Sequence, residues 1–556
     1  MPTLQFKGKN IIWNHHLAVP FHTLDEVPEL HYQPEKANGN MIIEGDNLIA
    51  LKALLPQFAG RIQCIYIDPP YNTGDDNGNG KGWIYNDNVN SPLIIDWLNK
   101  VVDKSDLARH DKWLCMMTPR LKLLRELLAD DGVIFISIDD NEYHNLISLC
   151  IEIFSEECLV PTFIWEKKKK PSFLHNNVGK LTEYIVCFVK DNDKSYPFSI
   201  DSTTKGKKYP LNNAGNSLET LTFPPNSVSF GIEDQIVKAQ DMSEGNIKTE
   251  LLNDVIIIDG KNSNEFKLKG EWRYSQKTLN DIIDKGDLLY ISKVPFRPNH
   301  IKGGGEIKKM KNILSPNHYE METNEDAKKQ LEDMFNTSPF DFPKPLKLIH
   351  TLIKATTHFN ENAIILDSFA GSGTTMHAVM ELNKEDGGNR KCIMIQMTEA
   401  TEAEPDKNIC KDITRERVKR AIEKYGYDSG FKYYRLGIPL DAETMLAGQL
   451  PTYKQFAKYV YYLCTGEHLE AEDKINEAEY FVGEYGKQAI YLVYKQDYET
   501  LTRLALNLTL AEKIKQQQPG KKRIVYAPSC FLDEEYLTDN QIEYVGIPYN
   551  LFQRNQ

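Results

Sequence analysis

Short apolar runs that are typical of buried strands alternate with helical patterns in two separate parts of the chain. The predicted strands are, in chain order, Met41–Glu44, Cys64–Ile67, Val133–Ile138, Tyr184–Val189, Ala363–Leu366 and Cys392–Gln396. The predicted helices between them cover residues 47–58, 121–128, 374–382 and 413–425. Strands that alternate with helices favour a mostly parallel sheet covered by helices. We therefore predict one α/β domain whose two halves are separated by an insertion.

The segment between the two halves has a different composition, rich in Asn, Ser, Lys, Pro and Gly, and predicts short strands and long loops. After the second half, a strand at 489–494, a helix at 498–515 and a strand at 523–527 predict a small βαβ unit. The predicted regions are an N-terminal extension (1–35), the first half (36–190), the inserted domain (191–335), the second half (336–437) and a C-terminal accessory domain (438–556).

Composition excludes several classes of protein. No stretch approaches about 18 uninterrupted apolar residues, so no membrane span is predicted, and the N-terminus lacks the apolar core of a signal peptide. The nine cysteines form no CxxC pair, which argues against a disulfide scaffold or a zinc cluster. The net charge of −13 argues against a non-specific coat on nucleic acid but leaves a local basic groove possible. We expect a cytoplasmic protein.

A glycine-rich loop follows the predicted strand at 363–366. It consists of Asp367, Ser368 and then Phe369, Ala370, Gly371, Ser372, Gly373, Thr374 and Thr375. It lacks the Lys of a phosphate-binding P-loop and the third Gly of the dinucleotide fingerprint, where Met376 stands. The loop therefore suits a ligand that has a nucleoside and a zwitterionic tail but no phosphate. Glu399, 26 residues after Gly373, can accept both ribose hydroxyls.

A second loop, Asp68-Pro69-Pro70-Tyr71, follows the apolar strand at 64–67. Two consecutive prolines make the backbone rigid and extended. The loop therefore directs the Asp68 carboxylate, the Pro69 carbonyl and the Tyr71 ring at one place. Such a site suits a planar amine, because the two oxygens can accept its N–H groups while the ring stacks on it.

Together, Asp68–Tyr71 and Phe369–Thr374 resemble the two signature motifs of amino-group DNA methyltransferases that use S-adenosylmethionine. The catalytic motif precedes the cofactor motif, which resembles the β class, a circular permutation of the Rossmann-like methyltransferase fold. The resemblance implies that the insertion is a target recognition domain. It also implies that the first half is catalytic and that the second half binds the cofactor. Further similar segments are Ile42–Leu48, Trp113–Leu121, Asp130–Glu142, Leu181–Ile185 and Phe342–Pro345. The combination is most similar to the modification (Mod) subunits of type III restriction-modification systems.

This resemblance implies methyl transfer to a flipped-out base in double-stranded DNA. Methylation at cytosine C5 is set aside because the chain has no Pro-Cys dipeptide. Asp at the first position of the catalytic motif favours adenine N6 over cytosine N4, which stays as an alternative. A homodimer and a helicase-nuclease restriction subunit are the partners that the resemblance implies, although an orphan methyltransferase would have the same sequence features. An RNA or protein-amide methyltransferase and an inactive DNA-binding subunit are less favoured.

Several single residues keep two interpretations. Asp46 is compatible with a contact to the cofactor adenine, which we favour, or with a helix N-cap. Lys344 is compatible with a contact to the cofactor carboxylate or with a turn cap, and Asp367 with an organiser of the glycine loop or a helix N-cap. Asp139 and Asp140 suggest helix capping more than a metal pair, since methyl transfer from a sulfonium needs no metal. One of the basic runs Lys167–Lys170 and Lys205–Lys208 is expected to follow the DNA backbone.

Overall fold

The computed structural model describes residues 3–73, 108–171, 177–200, 208–301, 307–400 and 404–547. Residues 205–207 of the predicted basic run Lys205–Lys208 lie outside these ranges. The chain divides into two compact units, one made of Met1–Tyr196 with Lys311–Gln556 and the other of Pro197–Met310. Residues 311–335, which the sequence analysis assigned to the insertion, belong to the first unit.

The first unit is built on one large sheet, which has ten strands in the part of the chain described. From edge to edge the strands are His22–Glu26, Lys432–Pro439, Met41–Glu44, Lys391–Gln396, Ile364–Asp367, Ile62–Ile67, Leu128–Ile138, Thr182–Val189, Leu159–Glu166 and Ile313–Leu314. The consecutive strands from Lys432–Pro439 to Leu128–Ile138 are mutually parallel. Thr182–Val189 runs antiparallel to both of its neighbours. This mixed, mostly parallel sheet confirms the predicted α/β class.

The central strands are apolar on both faces because helices cover both sides of the sheet. Ile62, Cys64, Ile65 and Ile67 are fully buried. The predicted strands are confirmed, each within a few residues. The helices of this unit are Lys9–Ile12, His15–Ala18, Asn47–Phe58, Arg109–Leu127, Tyr143–Phe154, Asn324–Phe335, Leu346–Thr357, Thr374–Asp386, Glu416–Tyr425 (preceded by a π-helical turn, Cys410–Arg415), Ala442–Leu446, Tyr453–Thr465, Tyr498–Leu501, Leu508–Gln517 and Glu534–Asp539.

The N-terminal residues are part of this unit. His22–Glu26 pairs with Lys432–Pro439 as an antiparallel edge strand. The Lys122 ammonium donates to the Trp13 carbonyl at 2.6 Å and lies over the Trp13 ring, which attaches the first helices to Arg109–Leu127. No signal in the sequence had assigned residues 3–35 to the sheet.

The C-terminal region forms its own four-stranded sheet, in the order Phe481–Tyr485, Gln488–Leu492, Lys522–Ala527 and Ile542–Gly546. The last three strands are parallel. The prediction of a single helix at 498–515 is wrong, because the structure has two helices there, Tyr498–Leu501 and Leu508–Gln517. Between them Leu506 bridges to Cys530 and its amide donates to the Ser529 carbonyl, so this backbone pairs with a neighbouring segment and leaves the helix.

The second unit is mainly β-structure around a core that includes Phe223, Phe230, Phe266 and Phe296. One sheet contains, in order, Ile236–Val237, Val255–Ile258, Lys261–Asn262, Val228–Phe230, Leu288–Ile291, Asn299–Ile301 and Lys208–Pro210. The other contains Gln240–Asp241, Thr249–Leu251, Phe266–Glu271 and Leu218–Phe223, and Gln276–Asp284 is a helix. Across both units, none of the helices described has the length and apolar character needed to cross a lipid bilayer.

Candidate active site

The two predicted loops leave adjacent strands at the same edge of the sheet. Ile364–Asp367 is parallel to Ile62–Ile67, with Ile365 opposite Cys64 and Leu366 opposite Ile65. Asp68 and the glycine loop therefore both begin at the carboxyl ends of neighbouring strands. Ligands of open α/β sheets bind at this edge.

The Asp68–Tyr71 loop is held from two sides. The buried Trp113 indole donates to the Pro70 carbonyl at 2.6 Å. Beyond Tyr71, Asn72 has a φ of +56° and its amide donates to the buried Glu142 carboxylate, which also contacts a His110 ring nitrogen at 2.7 Å. Burial raises the pKa of Glu142. These contacts fix the direction in which Asp68 points.

The Asp68 carboxylate accepts two hydrogen bonds from Lys344. The Lys344 ammonium is 2.8 Å from each carboxylate oxygen and also donates to the Tyr71 hydroxyl at 2.8 Å. Burial by itself would lower the pKa of Lys344, but the charges of Asp68 and Glu183 raise it above its ordinary value. The ammonium therefore stays charged inside the site.

Glu183 is a second carboxylate in the same pocket, and its side chain is almost fully buried. It lies 3.8 Å from the Lys344 ammonium, accepts from Tyr71 at 3.3 Å and pairs with Lys167. Burial acts to raise the pKa of Glu183, but the ammonium groups of Lys344 and Lys167 lower it. The pocket thus holds two carboxylates and two ammonium groups in alternation.

The glycine loop is organised by Asp367. Its carboxylate accepts the Phe369 amide at 3.0 Å and the Thr375 hydroxyl at 2.5 Å, which closes the loop. The helix that follows begins after Gly373, whose φ of +82° belongs to the left-handed region. Gly373, not Asp367, is therefore at the N-cap, and Asp367 is the loop organiser.

Two close approaches shape the surface of the loop. A Cβ at Gly373 would lie 2.8 Å from the Thr414 carbonyl, and one at Gly371 would lie 3.2 Å from the Phe340 ring. The fully buried Arg417 donates to the Ser372 and Thr374 hydroxyls. The loop is therefore a cradle that only glycine can form at these positions.

Further polar groups line the edge beyond the glycine loop. Gln396, the last residue of the next strand, accepts the Gly371 amide at 2.7 Å and donates to Glu399 at 3.1 Å. Burial raises the pKa of Glu399. Asp46 is the N-cap of Asn47–Phe58, where it accepts the Leu48 and Ile49 amides. The N-cap interpretation of Asp46 is confirmed, and its contact with a cofactor stays a prediction.

This combination of sheet order and edge loops agrees with comparison to known proteins. Residues 62–424, well over half of the chain, match the family model N6_N4_Mtase, described as a DNA methylase. The chain belongs to this DNA methylase family.

Relatives of the chain include two subunits of type III restriction-modification enzymes. It is 32% identical over 456 residues to the StyLTI Mod subunit of Salmonella typhimurium, covering 74% of this chain and 63% of that protein. It is 31% identical over 450 residues to the EcoPI Mod subunit of Escherichia phage P1, covering 73% and 66% respectively. It is also 28% identical over 397 residues to the type II methyltransferase M.KpnI of Klebsiella pneumoniae, covering 67% and 84%. The chain thus spans less than two thirds of the length of the two Mod subunits.

The structure brings Asp68, Tyr71 and Lys344 together and differs from the sequence predictions at other residues. The sequence suggested that Lys344 contacts the cofactor carboxylate or caps a turn. In the structure its ammonium contacts Asp68. The prediction that Asp139 and Asp140 cap a helix is wrong, because Glu142 is the N-cap residue of the following helix, Tyr143–Phe154. Asp139 accepts instead from the Asn141 backbone within the preceding turn, and Asp140 pairs with Lys180 at 2.6 Å. Among the residues described, no group of His, Cys, Asp or Glu has the arrangement of a metal site.

Sequence reasoning had missed Glu183, Gln396, Trp113 and Arg417 as individual site residues. Glu183 carried the clearest sequence signal, because it is the one acidic residue in the mostly apolar strand Thr182–Val189. In the structure its side chain is buried. A buried carboxylate needs a partner, so its presence in an apolar strand indicates a charged site nearby. Lys167, a candidate for DNA contact, is one of these partners.

We expect the buried Asp367 carboxyl to make the free energy of unfolding depend on pH. Burial raises its pKa to about 7, well above that of an unfolded Asp, so the folded protein binds this proton more tightly. Its contribution to stability is therefore present below about pH 4 and is lost as pH rises through about 7, by at most about 1.4 kcal/mol per pH unit. We expect Asp367→Asn to reduce the loss of stability between pH 5 and 8, measured by urea unfolding.

The matched control for this experiment is Asp140→Asn. Partial burial would raise the pKa of Asp140, but Lys180 lowers it, so this carboxyl stays ionised between pH 5 and 8. The control should therefore keep the pH dependence of the wild type. Equal slopes for Asp367→Asn and the wild type would show that Asp367 does not titrate in this range.

Proposed function

We propose that the protein is a sequence-specific DNA methyltransferase that transfers a methyl group from S-adenosylmethionine to adenine N6. The observation that carries the proposal is the pair of loops at one sheet edge, linked by a single residue. Lys344 donates to Asp68 through its ammonium and accepts from the Thr374 hydroxyl through its carbonyl at 3.2 Å. The amine site and the nucleoside cradle are therefore neighbours.

The residues around the glycine loop fit S-adenosylmethionine. Gly371 and Gly373 allow close approach of a ligand, and Glu399 offers a carboxylate for ribose hydroxyls. We assign cofactor binding to Asp46, Lys344, Asp367, Phe369, Ala370, Gly371, Ser372, Gly373, Thr374, Thr375 and Glu399. When bound, S-adenosylmethionine supplies an electrophilic methyl group on its sulfonium.

The Asp68 loop would activate the target amine. The lone pair of an adenine amino group is delocalised into the ring, so it is a poor nucleophile. Hydrogen bonds from this group to the Asp68 carboxylate and the Pro69 carbonyl favour the tetrahedral nitrogen that attack requires. Tyr71 can stack on the base, and Pro70 keeps the loop rigid. A duplex base must be flipped out to reach this site, at a cost of roughly a few kcal/mol.

We assign target recognition to the inserted unit and propose double-stranded DNA as the substrate. The similarity to StyLTI and EcoPI supports a modification subunit of a type III system. We propose a homodimer and a helicase-nuclease restriction subunit as its partners. The similarity to M.KpnI, a type II methyltransferase, keeps an orphan methyltransferase as the alternative. A neighbouring gene for a helicase-nuclease would decide between them. The expected location is the prokaryotic cytoplasm, where the DNA is.

The proposal is tested by single-molecule sequencing of DNA from a methylation-free host that expresses this chain alone. We expect N6-methyladenine at one short sequence motif and no modification in a host that expresses Asp68→Ala. N4-methylcytosine would keep the mechanism and reverse the choice of base. Unmodified DNA, from cells in which the folded protein binds S-adenosylmethionine, would contradict an autonomous DNA methyltransferase.

A further inference from the structure

The Lys344 ammonium is bound by the carboxylate that the proposed function assigns to the target amine. It has three N–H donors, and they are matched by both oxygens of Asp68 and by the hydroxyl of Tyr71, each at 2.8 Å. The Asp68 carboxylate is also the group that would accept a hydrogen bond from the adenine amino group. A nitrogen with N–H donors is therefore already bound in the pocket.

The target amine competes with Lys344 for Asp68. Both nitrogens would sit at hydrogen-bond distance from the same carboxylate, and each of its oxygens already accepts one hydrogen bond from the ammonium. The target nitrogen also becomes positively charged as it attacks the methyl group. A second positive charge beside it would disfavour that step. Lys344 must therefore leave Asp68 when the base enters.

Glu183 offers the ammonium a second place. Its carboxylate lies 3.8 Å from the Lys344 nitrogen, so a shift of about 1 Å would bring the two groups to hydrogen-bond distance. The main chain of Lys344 is anchored during such a shift. Its carbonyl accepts from Thr374, and Pro345 leads directly into the helix Leu346–Thr357. The flexible four-carbon side chain is the part that moves.

A buried ammonium that leaves one carboxylate needs another, because an uncompensated charge inside the protein is strongly unfavourable. We propose that Lys344 holds the place of the target amine in the empty site and that Glu183 receives the ammonium when the base binds. This inference rests on the proposed function. Lys344 and Glu183 are then positioning residues that keep Asp68 oriented before the base arrives.

A double-mutant cycle tests this exchange. Initial rates of transfer of a tritium-labelled methyl group from S-adenosylmethionine are measured, with genomic DNA from a methylation-free host as the acceptor. Glu183→Gln removes the receiving charge and leaves Lys344 on Asp68, so we expect kcat/KM for DNA to fall at least 50-fold. In a Lys344→Met background no ammonium has to move, and the same Glu183→Gln change should cost less than threefold.

Lys167→Met is the matched control, because Lys167 also pairs with Glu183. Among the described residues, no hydrogen bond or ion pair joins Lys167 to Asp68. The cost of Glu183→Gln should stay at least 50-fold in that background. Calorimetric titration measures the affinity of each variant for S-adenosylmethionine, because Lys344 is also assigned to cofactor binding. Rates are then compared at saturating cofactor, so a weaker cofactor affinity in Lys344→Met does not count as a cost of Glu183→Gln. Equal costs of Glu183→Gln in the wild-type and Lys344→Met backgrounds would overturn the exchange and leave Glu183 a purely structural role. Absence of methyl transfer by the wild type itself would instead count against the proposed function.

Discussion

Replacement of Asp68 by alanine is expected to abolish methyl transfer, lowering the rate at least about 1,000-fold, while the affinity for S-adenosylmethionine changes less than threefold. The loss is large because Asp68 is the charged acceptor for the target amine, and such preorganised groups contribute several kcal/mol to catalysis. The fold should persist, since the strand Ile62–Ile67 ends before Asp68 and the loop is held by Trp113 at Pro70. Transfer is measured with labelled cofactor and affinity by calorimetry.

Two further variants make this experiment specific. Asp68→Asn keeps the size and one acceptor oxygen but removes the charge, so it should lose most of the activity and bind the cofactor normally. Asp140→Ala removes a carboxylate that pairs with Lys180 outside the loop and should keep activity near that of the wild type. Retained turnover in Asp68→Ala would exclude Asp68 from the mechanism.

The sheet could be predicted from the sequence because its central strands are buried on both faces. Runs such as 64–67 and 392–395 are apolar at every position, which distinguishes them from amphipathic helices. The two loops were predictable for a related reason. Each follows such a run directly, and prolines or glycines there have a defined effect on the backbone.

The parts that the sequence could not predict depend on contacts between distant segments. His22–Glu26 becomes a strand only because the edge of Lys432–Pro439 is available to it, more than 400 residues later. The break between Tyr498–Leu501 and Leu508–Gln517 depends on pairing with residues 529–531. Helical periodicity continues through that break, so the pattern alone predicts one helix.

The same limit applies within the active site. Lys344 was a candidate for cofactor binding because Phe342–Pro345 resembles the motif that opens the cofactor-binding half, and that contact remains a prediction. Its ion pair with Asp68 joins residues that are far apart in the chain. Local spacing carries no information about such a pair, because the two residues meet only when the halves of the sheet come together.

Replacement of Gly373 by alanine is expected to weaken S-adenosylmethionine binding by roughly 10- to 100-fold. Gly373 has a φ of +82°, and an added Cβ would lie 2.8 Å from the Thr414 carbonyl, which is backbone and cannot rotate away. Strain of this kind costs about 1–3 kcal/mol, and the loop can relieve it only by moving from the position that cradles the ligand. Calorimetric titration with S-adenosylmethionine measures the change.

Gly387→Ala is the matched control for this prediction. Gly387 has a similar φ of +76° at the other end of the same helix, Thr374–Asp386, and nothing lies within 4 Å of a Cβ there. Both variants carry the strain of a left-handed alanine, but only Gly373→Ala places a methyl group against the Thr414 backbone. Gly387→Ala should therefore lower thermal stability slightly and leave cofactor affinity unchanged. Equal affinities for the two variants would mean that the cofactor does not bind at the Phe369–Thr375 loop, because the clash at Gly373 distorts that loop alone.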